Sequence, residues 1–107
     1  MKFDATVDIQ DQVAIITLSG QLDASAAPLF RQKIEEVAPH GVTRLVLMMQ
    51  DLEYMASAGL RTLVFAKQKM GSDVEIYLIG TQETVAETIE LTGFQHSVIM
   101  QDRYEAA

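Results

Sequence analysis

The chain has no cysteine and no tryptophan, and it has only two prolines and two histidines among its 107 residues. The lack of cysteine excludes disulfides, thiolate metal sites and cysteine nucleophiles, and it favours a cytoplasmic location. No apolar run approaches the roughly 20 residues that cross a bilayer, so membrane insertion is not expected. His40 and His96 stand far apart without ligand-type neighbours at suitable spacing, so we predict no bound metal.

Positive charge is also scarce, because 8 Lys and Arg against 15 Asp and Glu give a net charge of −7. Nucleic acids and anionic membranes are bound by Lys/Arg patches, so neither is an expected partner. The phosphate-loop spacings Gly-x-x-x-x-Gly-Lys and Gly-x-Gly-x-x-Gly are absent, and so is the Gly-x-Ser-x-Gly elbow of hydrolases. We therefore expect that the protein is not an enzyme and that it needs no cofactor.

What is present is enough apolar material, 49% of the chain, for one domain spanning residues 1–107. Alternating or continuous apolar patterns predict five strands, at residues 3–9, 13–18, 44–49, 74–79 and 97–100. Helical periodicity predicts a first helix with Pro28 in its first turn, a second at 57–70, and a third opening at Thr81 or Gln82. The third helix is expected to bury Val85, Ile89 and Leu91.

The order of these elements, β-β-α-β-α-β-α-β, predicts a single α/β domain with a mixed sheet. The first two strands read as an antiparallel hairpin turning at Asp11 and Gln12. The strand–helix–strand crossovers that follow imply parallel pairing. About three to four helices would pack on this sheet, and residues 103–107 would form a polar tail or a frayed helical turn.

A short segment of small residues, Ala56-Ser57-Ala58-Gly59, joins the third strand to the second helix and predicts an exposed serine at a helix start. Helix N-termini carry unpaired N–H groups and partial positive charge, so they tolerate an added anion. Ser57 is therefore a candidate phosphorylation site. The plainer interpretation is a helix cap with no switching role, which is also typical of serine.

Three further residues have expectations of their own. Met55 lies in the predicted loop and is expected to be exposed there. Gly59 is expected to mark either close backbone approach or a partner that packs there, since glycine costs up to about 1 kcal/mol inside a helix. Asp23, like Ser25, has the chemistry of a helix N-cap before the first helix.

Two motifs resemble the STAS family, which comprises the anti-sigma-factor antagonists and their relatives. They are Gly20-Gln21-Leu22-Asp23 and Met55-Ala56-Ser57-Ala58-Gly59-Leu60-Arg61. The family pattern is a Gly-x-Leu/Ile-Asp step before the first helix and a Ser-(Ser/Ala)-Gly-Leu start of a later helix. The resemblance extends over essentially the whole chain, including the Thr92-Gly93-Phe94 step after the third helix.

The resemblance implies a bacterial partner-switching function in transcription regulation and signal transduction. An unphosphorylated antagonist binds an anti-sigma factor that is also a serine kinase of the GHKL type, and the sigma factor is freed. The kinase then phosphorylates the serine two positions before the motif glycine, here Ser57, and the complex dissociates. A serine phosphatase restores the unphosphorylated state.

The resemblance also implies a partner-binding surface around the motifs. Its members are Asp23, Met55, Ala56, Ser57, Ala58, Gly59 and Arg61. Two positions depart from the family pattern: Ala56 stands where many antagonists have Asp or Ser, and Met48 where many have Asp near the end of the third strand. The alternative function is a non-switching STAS subunit of a transporter or another regulatory complex, with Ser57 packed against a partner helix. A small enzyme or ligand-binding domain is a third class, for which the sequence identifies no pocket.

Overall fold

The computed structural model describes residues 2–104, and its first two strands form a hairpin. Strand β1 (Asp4–Gln10) pairs antiparallel with β2 (Val13–Leu22). The chain turns at Asp11, whose φ of 56° lies in the left-handed region that Asp tolerates better than most residues. The predicted hairpin and its turn are confirmed.

Three further strands complete a five-stranded sheet: β3 (Arg44–Met55), β4 (Glu75–Ile79) and β5 (Ile99–Gln101). Their order across the sheet is β1-β2-β3-β4-β5, and every pair from β2 onward is parallel. The predicted fold class, an α/β domain with a mixed and largely parallel sheet, is therefore confirmed.

Three α-helices lie within the described residues: α1 (Ala27–Val37), α2 (Ser57–Met70) and α3 (Glu83–Glu90). Pro28 lies in the first turn of α1, as predicted, where its missing N–H leaves no helical bond unmade. Helix α2 has the predicted bounds and ends at Gly71, whose φ is 90°. Short 3₁₀ turns follow α1 and α3, at Ala38–His40 and Phe94–Ser97.

One apolar core joins the sheet to all three helices. Alternate residues of β2 are buried, and they pack in one cluster with buried residues of each helix, including Phe30 of α1, Leu63 of α2 and Ile89 of α3. Because alternate strand residues point to one face, the helices share that face of the sheet. Leu91, predicted in this core, is 88% exposed because α3 ends at Glu90 and the chain turns away.

On the opposite face the C-terminal segment packs against the sheet. Arg44 donates a hydrogen bond of 3.0 Å to the hydroxyl of Tyr104, whose ring meets Tyr77 edge-on with centroids 5.4 Å apart. Only the first part of the predicted polar tail can be compared with the structure. Glu105, Ala106 and Ala107 lie outside the described residues.

Strands β2 and β3 are both longer than predicted. Their added residues pair with each other, Ser19 with Asp51 and Leu22 with Met55, and the register shifts twice along this stretch. One shift lies beside Gly20, where φ is +85° and a Cβ would overlap the carbonyl of Lys2. The sequence pattern did not predict this extension, because a bulge interrupts the alternation of buried and exposed residues by which a strand is recognised.

Candidate functional site: the start of helix α2

Ser57 is the first residue of α2 and is exposed. The N-cap is Ala56, in extended conformation with φ −81° and ψ 170°, and no side chain caps the helix. The amide of Ala56 donates a 2.9 Å hydrogen bond to the carbonyl of Leu22, which fixes the helix start against β2. The predicted position of Ser57 is confirmed, but the interpretation of Ser57 as a structural cap is wrong.

Gly59 lies in the first turn of α2, and its backbone closely approaches the end of β2. A Cβ at this position would lie 2.7 Å from Cγ of Leu22 and 3.1 Å from Cγ of Met55. Leu22 is fully buried, so it has little room to move away. The predicted close approach at Gly59 is confirmed, and it holds α2 tightly against the sheet.

The structure corrects the expectation that Met55 is exposed. The residue is the last of β3 rather than part of a loop, and it is only 3% exposed. Its side chain packs in the core on the helix-covered face and, like Leu22, lies against Gly59. Met55 therefore supports the site from beneath, and a partner cannot contact it without local opening.

Asp23 follows Leu22 at the same edge of the sheet, because β2 and β3 are parallel and Leu22 pairs with Met55. Its carboxylate accepts hydrogen bonds from the Ser25 hydroxyl at 2.7 Å and the Ala26 amide at 3.0 Å. The Ser25 hydroxyl and then the Ala26 amide hold the pKa of Asp23 below its ordinary value. Asp23 thus closes the turn before α1, whose N-cap is Ala26 rather than the predicted Asp23 or Ser25.

Beside Ser57 a groove of about 410 Å³ runs between α1 and α2. Arg31 of α1 places its guanidinium carbon 4.1 Å from the centroid of the Phe65 ring, across the groove. Arg61 lies one helical turn after Ser57 and is exposed. Sequence analysis did not single out Arg31 or Phe65, because their contact joins two helices far apart in sequence and leaves no local pattern.

The residues predicted to bind a partner therefore fall into three levels of exposure. Ser57 and Arg61 are exposed, Asp23, Ala56 and Ala58 are partly buried, and Met55 and Gly59 are buried. A partner can thus reach fewer of these residues than the sequence motif contains. Met48, the second departure from the family pattern, lies in the middle of β3 beside Thr17 and Ile79 rather than near the strand end.

The part of the chain that the structure describes holds no cluster of three or more acidic or histidine side chains placed to bind a metal ion. In the same residues, no helix combines the length and the apolar character that crossing a membrane requires.

Comparison with known proteins gives consistent matches along this chain. The family description "STAS domain" matches residues 4–107. The anti-sigma-F factor antagonist RsfB of Mycobacterium tuberculosis is 28% identical over 90 residues, covering 82% of this chain and 74% of RsfB.

Two solved structures share the fold. The crystal structure of an anti-sigma factor antagonist from Mycobacterium paratuberculosis has a TM-score of 0.87 and 24% identity, covering 95% of this chain and 87% of that one. The Bacillus cell fate determinant SpoIIAA, solved in its phosphorylated form, has a TM-score of 0.70 and 20% identity, covering 92% and 90%.

Proposed function

The chain belongs to the STAS domain family, and from that premise we propose that it is an anti-sigma-factor antagonist that switches partners through Ser57. Unphosphorylated, it binds an anti-sigma factor that is also a serine kinase of the GHKL type. Phosphorylation of Ser57 by this kinase releases it, and a serine phosphatase resets the state. The relative RsfB is an anti-sigma-F factor antagonist by name, and the structure of SpoIIAA in its phosphorylated form shows that a protein of this fold is modified.

The observation that carries the proposal is that the Ser57 hydroxyl has no structural task. It caps no helix, forms no hydrogen bond within residues 2–104, and lies in the solvent. A serine that stabilised the helix start would bond to a free N–H group of the first turn. The exposed hydroxyl is instead free to enter a kinase active site.

Phosphorylation at this position has opposite effects on the fold and on a complex. Helix α2 has no acidic residue in its first turn, so the free N–H groups and the helix dipole stabilise an added phosphate. At an interface the same charge must lose its water, and Asp23 at the same sheet edge adds like-charge repulsion. Release without unfolding follows from this asymmetry.

The Ala56 departure fits this proposal in one respect. Many family members have an acidic or hydroxyl side chain immediately before the modified serine, whereas here the N-cap methyl group is partly buried. A carboxylate at the N-cap would already stabilise the helix start. With Ala56 there, a phosphate on Ser57 would be the first negative charge at the helix start.

The test is affinity purification from the native bacterium with wild-type, Ser57→Ala and Ser57→Asp proteins as bait, followed by mass spectrometry. We expect wild-type and Ser57→Ala to retain a GHKL-type serine kinase and Ser57→Asp to lose it. Incubation of that kinase and ATP with wild-type protein should then add one phosphate, and none with Ser57→Ala.

Two results would contradict the proposal. A kinase retained equally by all three baits, with no phosphate added to wild-type, would indicate a non-switching STAS subunit instead. Retention of a transporter subunit rather than a kinase would identify the class of that alternative.

A further inference from the structure

Charge is unevenly distributed among the helices of this acidic protein. Helix α2 carries Arg61, Lys67 and Lys69 and no acidic residue, whereas α3 carries Glu83, Glu87 and Glu90 and no basic residue. The net charge of −7 therefore coexists with a net positive charge on α2 itself. A partner that contacts this helix interacts mainly with the charges near the contact, because charges farther than about a Debye length are screened.

The groove between α1 and α2 has two positively charged side chains beside Ser57, Arg31 from α1 and Arg61 from α2. Its walls include Arg31, Arg61 and Phe65, its floor is of small residues such as Ala27 and Ala58, and no acidic residue lines it. Small residues let another chain approach the helices closely. The groove is thus a shallow, partly apolar surface with two guanidinium groups at its walls.

Neither arginine is neutralised by a close partner. Arg31 reaches Glu35 only at 4.0 Å, with both side chains more than half exposed, and such a surface pair contributes little. Its guanidinium is instead held over the Phe65 ring, which orients the planar group and leaves its edge available for a carboxylate. Arg61 forms no ion pair or side-chain hydrogen bond within residues 2–104.

We propose that the α1–α2 groove binds an acidic segment of the partner kinase, with Arg31 and Arg61 pairing with its carboxylates. This inference rests on the proposed function and specifies which surface chemistry of the kinase is recognised. It also accounts for release. A phosphate on Ser57, one turn before Arg61 on the same helix face, repels the acidic segment and attracts the Arg61 side chain to itself.

The test uses the kinase retained by the wild-type bait and compares two charge reversals on α2, Arg61→Glu and Lys69→Glu. Both change the net charge equally, but Lys69 lies about 12 Å farther along the helix, since the rise is about 1.5 Å per residue. At 0.15 M salt we expect Arg61→Glu to weaken binding at least about tenfold and Lys69→Glu less than about threefold. Arg31→Glu should behave like Arg61→Glu, and circular dichroism should show all three variants folded.

A charge swap completes the test. Cross-linking of the wild-type complex identifies the kinase carboxylates nearest the groove, and reversing one of them to Lys should restore binding of Arg61→Glu. Equal weakening of binding by Arg61→Glu and Lys69→Glu, or no weakening by either, would overturn the proposal that the groove binds the kinase. The proposed antagonist function would not be affected by that result. Failure of the wild-type protein to bind any kinase would overturn the proposed function and this inference together.

Discussion

Helices α2 and α3 both start just after a parallel strand, but their first turns differ in charge and in hydrogen bonding. Both follow parallel strands, β3 and β4, and both have a hydroxyl residue in the first turn, Ser57 in α2 and Thr84 in α3. In α3 the Thr84 hydroxyl donates to the carbonyl of Glu53 at 3.4 Å. The side-chain amide nitrogen Nε2 of Gln82, the N-cap residue, donates to the carbonyl of Gln50 at 2.7 Å.

Neither helix start has a side-chain cap hydrogen bond, and the contrast lies in the charge of the first turn and in the bonding of the nearby polar side chains. Helix α3 begins with Glu83, whose charge complements the dipole, and its polar side chains are bonded to β3. Helix α2 begins with Ala56 and an unbonded Ser57, without an acidic residue in the first turn. The α2 start therefore has capacity for a negative charge that the α3 start has already filled.

The largest expected effect is on partner binding. Ser57→Asp should weaken kinase binding by about 3 kcal/mol, on the order of a hundredfold, because the carboxylate must be desolvated and opposes an acidic partner segment. Thr84→Asp is the matched control, since it adds the same charge to the first turn of the other helix. It should change affinity less than about threefold. Titration calorimetry with the purified kinase measures both.

Equal losses for the two variants would mean that net charge, not position, controls binding. If Ser57→Asp binds as tightly as wild-type, protein carrying phosphoserine at position 57 should be titrated next. Normal binding of that phosphoprotein would identify a constitutive adaptor.

The next largest effect concerns the third residue of each helix, which is Gly59 in α2 and the buried Val85 in α3. Gly59→Val makes the two starts alike but inserts side-chain atoms where even a Cβ would lie 2.7 Å from Leu22. We expect a loss of about 2–3 kcal/mol in the free energy of unfolding from overpacking. Urea denaturation measures it.

Ala58→Val is the control, since it introduces the same β-branched side chain at a partly exposed position. Its cost should be no more than about 0.7 kcal/mol, from helix propensity alone. A Gly59→Val protein as stable as Ala58→Val would show that Leu22 and Met55 can make room, and that Gly59 has no packing role.

Local patterns predicted the fold order and the bounds of α2 because those features depend on nearby residues. The periodicity from Leu60 onward and the stop at Gly71 are encoded within one stretch of chain, and the structure has both. The ends of β2 and β3 depend instead on their mutual pairing around the bulges. The largely polar stretch Gln50 to Tyr54, in which Leu52 is the one aliphatic residue, therefore gave no strand signal of its own.

The position of the site could be predicted from the sequence, but the burial of its residues and its contacts between helices could not. The motif located Ser57 correctly, but it could not show that Met55 faces the core, because that depends on β3 extending to its last residue. It also could not show the contact between Arg31 and Phe65. Contacts between helices are set by packing, and charge patterns within one helix do not reveal them.

A smaller effect is expected on stability. Ser57→Asp should raise the free energy of unfolding by about 0.3–1 kcal/mol, because it adds an acidic group to a first turn that has none. Thr84→Asp should gain less, since Glu83 is already present and the bond to Glu53 is lost. Thermal melts at low and high salt distinguish the cause, because only a charge–dipole gain shrinks as salt rises. A destabilised Ser57→Asp protein would contradict the idea that the α2 start accepts charge.

The smallest effect compares the turn before α1, which is held by the titratable carboxylate of Asp23, with the start of α2, which has no titratable side chain in its first turn. The hydrogen bonds from Ser25 and Ala26 lower the pKa of Asp23 below its ordinary 3.8. Folding therefore favours the ionised carboxylate, and its contribution is complete above the unfolded pKa and is lost as pH falls through the lower folded pKa.

The urea midpoint of wild-type protein should accordingly exceed that of Asp23→Asn at pH 6, and the difference should shrink as pH falls below 3.8. Ser25→Ala removes the strongest cause, so carbon-13 NMR titration of the Asp23 carboxyl in that variant should give a higher pKa than in wild-type. Ser57→Ala, which alters the untitratable α2 start, should give a midpoint difference from wild-type that does not change over the same pH range. A pH-independent difference for Asp23→Asn would contradict this account, because it would mean that ionisation of Asp23 does not stabilise the turn.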